Sequence, residues 1–563
     1  MSTHEALAHS EIVSQRMSHR FLGTRGQRQR SDHVKVSQVG YLPGEAKVAL
    51  LTTAAQGPAR VRRSWDDEVV LETAVGAAGA DADSGDVVRA IDFSSLVEPG
   101  AYYLDVPGVG TSYDFRVGDD VFVRPCRLAM RFFAGQRCGC DVDLGPEFPA
   151  YHYRACHMAE AQFHESSGRS GRLSCTGGWH DAGDYGRYVV NAGISLATLL
   201  WAWELYGPKL QAIGADVLEE VRWGLRWMLA MQDADGGVWH KATSADFARI
   251  CMPHEDDSAQ LVIGSGQAPF KTTCATAYFA AVCAIAARVY RTTDAAYAER
   301  CLAAARRAWR WLADSPDHLF PRNPPGIKTG AYGDQDPAGA RLWAAAELLR
   351  TTHDNAFDEY FLTHYEKWRP RAIDGAAPQG WADVHHFAMY GYALAPHGWV
   401  DARAAERIGA DARAAADEIV ARAERHPYRL PMRASDYVWG SNAVVANYAL
   451  MLLIAHRLDP KRQYRTAALD ALHYLLGRNT FNTSFVTHVG GRWPMHPHHR
   501  PSMADGIAQP WPGMLVGGPN ADGKRDQPAR QWFDDEASFK TNEVAINWNA
   551  PLVFLLAAAL PQA

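Results

Sequence analysis

The sequence predicts a mainly α protein in two parts, a small β-sandwich followed by a toroid of six α/α hairpins, an (α/α)6 barrel. Three observations carry this. Short β-branched runs crowd residues 33–118, apolar residues recur at helical spacing through 119–563, and long Gly-, His- and Asp-rich inserts interrupt the helices.

Residues 1–32 are polar and basic and are expected to be disordered. From His33 onward, VKVSQVGYLP, KVALLTT, RVRRSW, EVVLETAV, VVRAIDFSSL, GAYYLDVP and TSYDFRVG are short runs punctuated by Gly and Pro. Seven such strands in so short a span read as a β-sandwich over 33–118.

At Val121 the texture becomes helical. Twelve helices are expected, at 124–137, 188–206, 216–232, 272–291, 295–313, 339–352, 355–366, 383–395, 402–424, 440–457, 461–476 and 542–559. In 295–313, Tyr297, Cys301, Ala304, Ala308 and Trp311 mark one face. Many helices are Ala-rich and apolar around most of their circumference, so they must pack on two sides. Twelve helices make six hairpins. The inserts at 138–187, 233–271, 314–338, 367–382 and 478–541 are long enough to carry function.

Composition narrows the chemistry. The 563 residues are 47% hydrophobic and 21% charged, with net charge -6, which argues against nucleic-acid and anionic-membrane partners. No run approaches a membrane span, and the N-terminus lacks the apolar core of a secretory signal. The chain therefore reads as cytoplasmic, or as secreted or periplasmic if the N-terminus is altered. Nine cysteines, an odd number, suit free thiols in a reducing compartment. With 18 Trp and 22 Tyr, some rings are available as platforms for sugars.

Three segments carry candidate chemistry. In GGWHDAGDYGRY, Asp181 and Asp184 share a glycine-rich loop with His180, a pattern equally suited to a turn, a metal site or a catalytic pair. In SFVTHVGGRWPMHPHHRPS, His498, His499 and Arg500 form a cationic cluster between prolines. In WFDDEASFKTNEVAINWNA, Glu543 follows Thr541 and Asn542 at an expected helix start, where a glutamate often serves the helix dipole alone.

Together these segments resemble glycoside hydrolase family 9, the inverting cellulases and their relatives. Ser484, Val486, Thr487, Gly490, Arg492, Pro497, His498 and Arg500 match the histidine-containing segment, and Trp532, Asp534, Phe539, Glu543, Ala545, Asn549 and Ala550 match the acid-containing one. GGWHDAGDYGRYVVN resembles the segment holding the catalytic aspartates. VKVSQVGYLP resembles the first strand of the immunoglobulin-like domain found in one branch.

The resemblance implies hydrolysis of β-1,4-glucosidic bonds in cellulose or related β-glucans, as an endoglucanase, with inversion. Glu543 would be the acid, Asp184 the base, and Asp181 a partner in holding the water. Glu543 would then need burial and neighbouring carboxylates to outweigh the dipole. His498 and Arg500 would bind sugar hydroxyls and Trp548 would line the same pocket. Trp239, His240, Lys241, Tyr437 and Trp439 are further candidates for the cleft.

Cys138, Cys156, His157 and His180 supply two thiols and two imidazoles, a set suited to structural zinc. The immunoglobulin-bearing branch carries such a zinc with similar spacing, and Cys140 is a near neighbour. Calcium is doubtful: in AYGDQDPAGARLW, Asp334 and Asp336 remain, but Gly339 and Ala340 replace acidic residues of relatives. The alternatives are an exo-acting β-glucosidase, cellobiohydrolase or β-glucosaminidase, a Mg²⁺-dependent terpene cyclase on a similar toroid, and an inactive carbohydrate-binding protein.

Overall fold

The computed structural model describes residues 28–334, 336–368, 378–523 and 526–562. The sandwich is built from ten short strands rather than seven runs. One sheet is ordered β1 (Val34–Lys35), β3 (Val48–Leu51), β7 (Val87–Asp92), β6 (Val75–Ala80). The other is ordered β2 (Gly40–Tyr41), β10 (Phe115–Val117), β8 (Gly100–Val106), β4 (Ala59–Arg63), β5 (Val69–Thr73), with β9 (Gly110–Thr111) beside β8. Alternate residues turn inward, so Ala49, Leu51, Val61, Ile91 and Leu104 form a dry layer between the sheets.

Of the segment expected to be disordered, residues 1–27 lie outside the described residues. Residues 28–32 lie against the sandwich. Arg28 pairs with Asp114 at 2.8 Å, and Arg30 bridges to Thr111 beside the sandwich.

Among the described residues, twelve helices have nine or more residues, each overlapping an expected one. They are α1 (Val123–Gly135), α2 (Val189–Ala212), α3 (Val217–Ala230), α4 (Thr273–Tyr290), α5 (Ala295–Asp314), α6 (Pro337–Thr352), α7 (Asn355–His364), α8 (His385–Ala393), α9 (Ala402–Arg425), α10 (Ser441–Leu458), α11 (Arg462–Leu475) and α12 (Ile546–Ala559). Even-numbered helices form the inner ring and odd-numbered ones the outer, which is the (α/α)6 barrel. Within the inner ring α12 packs on α2, α2 on α4, α4 on α6, α6 on α8, and α10 on α12, while outer α9 bridges α8 and α10.

Sequence decides which ring each helix joins. In α4 every residue except Arg288 is buried, whereas α5 buries one face, with Cys301, Ala304, Ala308 and Trp311 inward. By length and composition α4 alone among the described residues is apolar enough to cross a membrane, against the expectation that no run comes close. Its window is 89% buried in the protein, so it is a barrel core helix. Side chains of Asp216, Thr272, Asp294, Asp336, Asp354 and Asp401 cap six helices, each contributing roughly 1 kcal/mol. Within the inner ring, the partly buried Arg288 is matched by Glu204 at 2.5 Å and Glu347 at 2.8 Å, so its charge is paired.

Two features position the site. The inserts hold a five-stranded sheet that periodicity did not reveal, because its strands are two or three residues long. Its order is β14 (Arg172–Leu173), β13 (Ala161–Phe163), β17 (Leu261–Ile263), β16 (Lys241–Thr243), β15 (Arg187–Tyr188), numbered after the small hairpin β11 (Val142–Asp143) and β12 (His152–Tyr153). The sandwich also grips the loop after α11. The Gln38 amide donates to Asn482 O at 2.7 Å and accepts from Gly491 and Arg492 N–H at 3.0 and 2.9 Å. The loop that reaches His498 is therefore anchored at its base.

Candidate active site

At one end of the barrel a cavity of about 360 Å³ is lined by Asp181, Asp184 and Glu543, with rings of Tyr188, Tyr332, Trp381, Phe247, Trp439 and Trp548 around them. The aspartates sit on a loop with no room for side chains at its apex. A Cβ on Gly183 would stand 2.2 Å from His498 O, so this glycine allows the loop to lie against the segment carrying His498. Arg500 fastens the contact: its side chain donates to Gly183 O at 2.9 Å and Ala248 O at 2.9 Å.

Each aspartate has its own donors. Asp181 accepts from Asn191 Nδ2 at 2.6 Å and Tyr332 OH at 2.5 Å. Asp184 accepts from Tyr188 OH at 3.2 Å and Gly186 N–H at 3.1 Å. Burial, then the neighbouring Asp184 charge, pushes the Asp181 carboxyl up to about 8, against the pull of Tyr332 and Asn191.

Glu543 differs from its expected setting. It is not in the first turn of α12, which begins at Ile546. It follows the short helix Phe539–Asn542 in extended conformation, with φ -68° and ψ 163°. Its main chain is pinned by Gly517 N–H donating to Glu543 O at 2.8 Å and by a bridge to His498. Removed from the dipole, its carboxyl is held well above the usual carboxylate range. Burial is the main cause, followed by the charges of Asp184 and Asp181, while Arg500 and Gly183 N–H pull the other way.

The aromatic candidates divide. Trp439 and Trp548 line the cavity. Trp439 is half exposed with its ring edge on Phe539, and Trp548 packs over Gly440, whose φ of 84° and missing side chain admit the indole. His240 does not reach the cavity. It is fully buried, stacked on Phe320 at 3.8 Å and hydrogen-bonded to Ala331 O at 2.8 Å, so it braces the loop carrying Tyr332. Trp239 and Tyr437 are likewise buried, and Lys241 lies behind the wall.

His498 and Arg500 flank the cavity without lining it. The His498 ring is half-buried, with Nδ1 2.6 Å from Glu536 O, and Arg500 is committed to backbone carbonyls. Sequence reasoning missed Tyr332, Asn191, Tyr188, Trp381 and Phe247 as site residues. Tyr332 stood in the AYGDQD segment, which drew attention only for its aspartates. Those aspartates serve the backbone: Asp334 accepts from Phe320 N–H and Asp336 caps α6.

On the far side of the same loop, Cys138, Cys156, His157 and His180 place one ligand atom each within 4.8 Å of one another. Cys138 Sγ is 3.6 Å from His157 Nδ1, and Cys156 Sγ is 3.6 Å from His180 Nε2. Ligands of a tetrahedral zinc stand about 3.3–3.8 Å apart, so the donor set fits a closed structural site. Asp256 orients His157 through Nε2 at 3.0 Å. Cys140 is outside the cluster, and none of the nine cysteines is bonded to another.

A helical barrel whose open end gathers three carboxyls among aromatic rings is the equipment of a glycoside hydrolase. Comparison with known proteins agrees. Residues 124–556 match glycosyl hydrolase family 9, and residues 29–111 match the cellulase N-terminal ig-like domain. The chain belongs to glycosyl hydrolase family 9, in the branch with that N-terminal domain, and the terpene cyclase alternative falls with this.

Endoglucanase D of Acetivibrio thermocellus is 33% identical over 536 residues, covering 93% of this chain and 83% of the relative. A cellodextrinase of Butyrivibrio fibrisolvens is 32% identical, covering 94% and 99%. The crystal structure of a Zn-binding triple mutant of family 9 endoglucanase J30 superposes with TM-score 0.84 at 33% identity, covering 93% of this chain and all of that one.

Proposed function

We propose that this enzyme is an endo-β-1,4-glucanase that cleaves cellulose or a related β-glucan with inversion at C1. The observation that carries the reading is that Glu543 and the Asp181–Asp184 loop line one ring-walled cavity, with Glu543 biased toward its protonated form. Asp184, held by Tyr188 OH and Gly186 N–H, takes a proton from the attacking water. The water oxygen bonds to C1 as the C1–O4 bond breaks, and the Glu543 proton goes to O4. Separations of about 6.5–9.5 Å between acid and base leave room for that water. Asp181 orients the water or its partner, and Trp439 and Trp548 stack on sugar faces.

Cys138, Cys156, His157 and His180 hold a structural zinc in this reading. With its ligands all supplied by protein, its contribution is to fix the loop.

Proton NMR of fresh hydrolysate of cellopentaose tests the mechanism. Inversion releases the α-anomer first, and initial β-anomer contradicts it. Viscometry on carboxymethylcellulose tests the endo mode: a fall in viscosity well ahead of reducing-end release is expected. Action confined to short oligosaccharides would favour the exo-acting alternative.

A further inference from the structure

Lys241 is fully buried, and its three N–H donors meet three neutral acceptors: Asn323 Oδ1 at 2.7 Å, Gly330 O at 2.6 Å and Thr329 Oγ1 at 3.3 Å. No carboxylate lies within salt-bridge distance of its Nζ among the described residues. Burying an ammonium without a paired anion is costly, and a methionine would fill the same volume more cheaply. The side chain therefore does something that packing alone does not require.

Its position supplies the reason. Lys241 in β16 is the register partner of Tyr188 in β15, and its Nζ stands 5.4 Å from the Tyr188 ring centre. Tyr188 in turn donates to Asp184. The acceptors of Lys241 belong to the 323–330 segment, whose end, Gly330, lines the cavity two residues before Tyr332.

We propose that Lys241 is a positioning residue for the hydrolytic reaction: its ammonium fixes the Asn323–Gly330 wall and Tyr188, the phenol that holds Asp184, and sets a buried positive charge on the side of the base. This rests on the reading of Asp184 as the base. The groups facing Asp184 are Asp181 on its own loop, Glu543 before α12, Tyr188 on β15, His498 and Arg500 on the long loop, and Lys241 on β16. Two of these are carboxyls that oppose a second negative charge. Lys241 answers them from within the protein, where screening by salt is weak. Burial pulls the ammonium down to about 7, with Asp184 acting against it, so the lysine is charged throughout the acidic range in which a carboxylate base titrates.

The test is the pH profile of kcat/KM on cellopentaose for the wild-type enzyme, Lys241→Met and Asn323→Asp, with thermal midpoints and near-UV circular dichroism checking the fold. Lys241→Met is expected to move the acid limb to higher pH by on the order of one pH unit and to lower kcat about tenfold with little change in KM. Asn323→Asp retains the lysine and neutralises its field, so the limb moves the same way. It decides the matter if Lys241→Met does not fold. A folded Lys241→Met with a wild-type acid limb overturns the proposal, as does an unmoved limb in Asn323→Asp. Asp184→Asn run alongside separates the two levels: activity retained there sinks the base assignment itself, whereas inactivity there with an unmoved limb in the other variants sinks only the role of Lys241.

Discussion

His180 and Asp181 are neighbours in sequence and face two different sites. The His180 imidazole turns Nε2 to within 3.6 Å of Cys156 Sγ in the Cys/His cluster, while the Asp181 carboxyl turns to Tyr332 and the cavity. Between them, Asp181 N–H donates to Gly186 O at 3.0 Å and His180 N–H to Gln136 O at 2.7 Å, so the peptide joining the sites is held from both sides. Whatever fixes the cluster fixes the aspartates.

Metal analysis of the purified protein is therefore expected to find about one zinc per chain. Exhaustive chelation, or Cys138→Ser, is expected to lower the thermal midpoint on the order of 10 °C, with activity lost through loop order rather than through chemistry. Full stability and full activity in a zinc-free preparation would break the link between cluster and loop.

Asp181 couples stability to pH. Its carboxyl binds a proton more tightly in the folded state, up to about 8, than in the unfolded chain, near 3.8. That contribution is fully present below the unfolded value and is lost as pH rises through the folded one. Asp181→Asn removes it, so the variant gains in thermal midpoint relative to wild type between pH 5 and pH 8. A difference between the two proteins that stays flat across this range contradicts the buried, proton-binding setting of Asp181.

Gly183 tests the packing that brings the two halves of the site together. In Gly183→Ala the new methyl meets His498 O, a main-chain atom that cannot rotate away. The loop must retreat from the His498 segment, which bridges to Glu543. Displacements of about 1 Å can cost about 100-fold, so kcat is expected to fall by that order while the thermal midpoint changes little. Wild-type kcat in this variant would show that the close approach is not needed.

Much of the architecture was legible because twelve amphipathic or apolar helices leave a strong period. Helices apolar around most of their circumference were legible as packing on two sides, without their place in the inner or outer ring. The five-stranded sheet was not, since two- and three-residue strands such as β15 and β16 are defined by pairing across long inserts rather than by local pattern. Asp181, Asp184 and Glu543 were legible as residue types in motifs. The helix boundary beside Glu543 was not. Asn542 resembles an N-cap, yet it ends the short helix Phe539–Asn542, and its side chain is used by His496 O and Trp532. His240 illustrates the opposite error: beside Trp239 it reads as a sugar contact, but its main chain, bonded to Ile263 O and Val189 N–H just ahead of β16, leaves the ring inside the protein.

The most direct test of the account is the kinetics of Glu543→Gln on two substrates, cellopentaose and 2,4-dinitrophenyl β-cellobioside. The natural leaving group needs a proton and dinitrophenolate does not. The account predicts a loss of about 100- to 10,000-fold in kcat on cellopentaose, with binding preserved and a far smaller loss on the activated substrate. Near-wild-type turnover of cellopentaose, or equal losses on both substrates, would contradict the assignment of Glu543 as the acid.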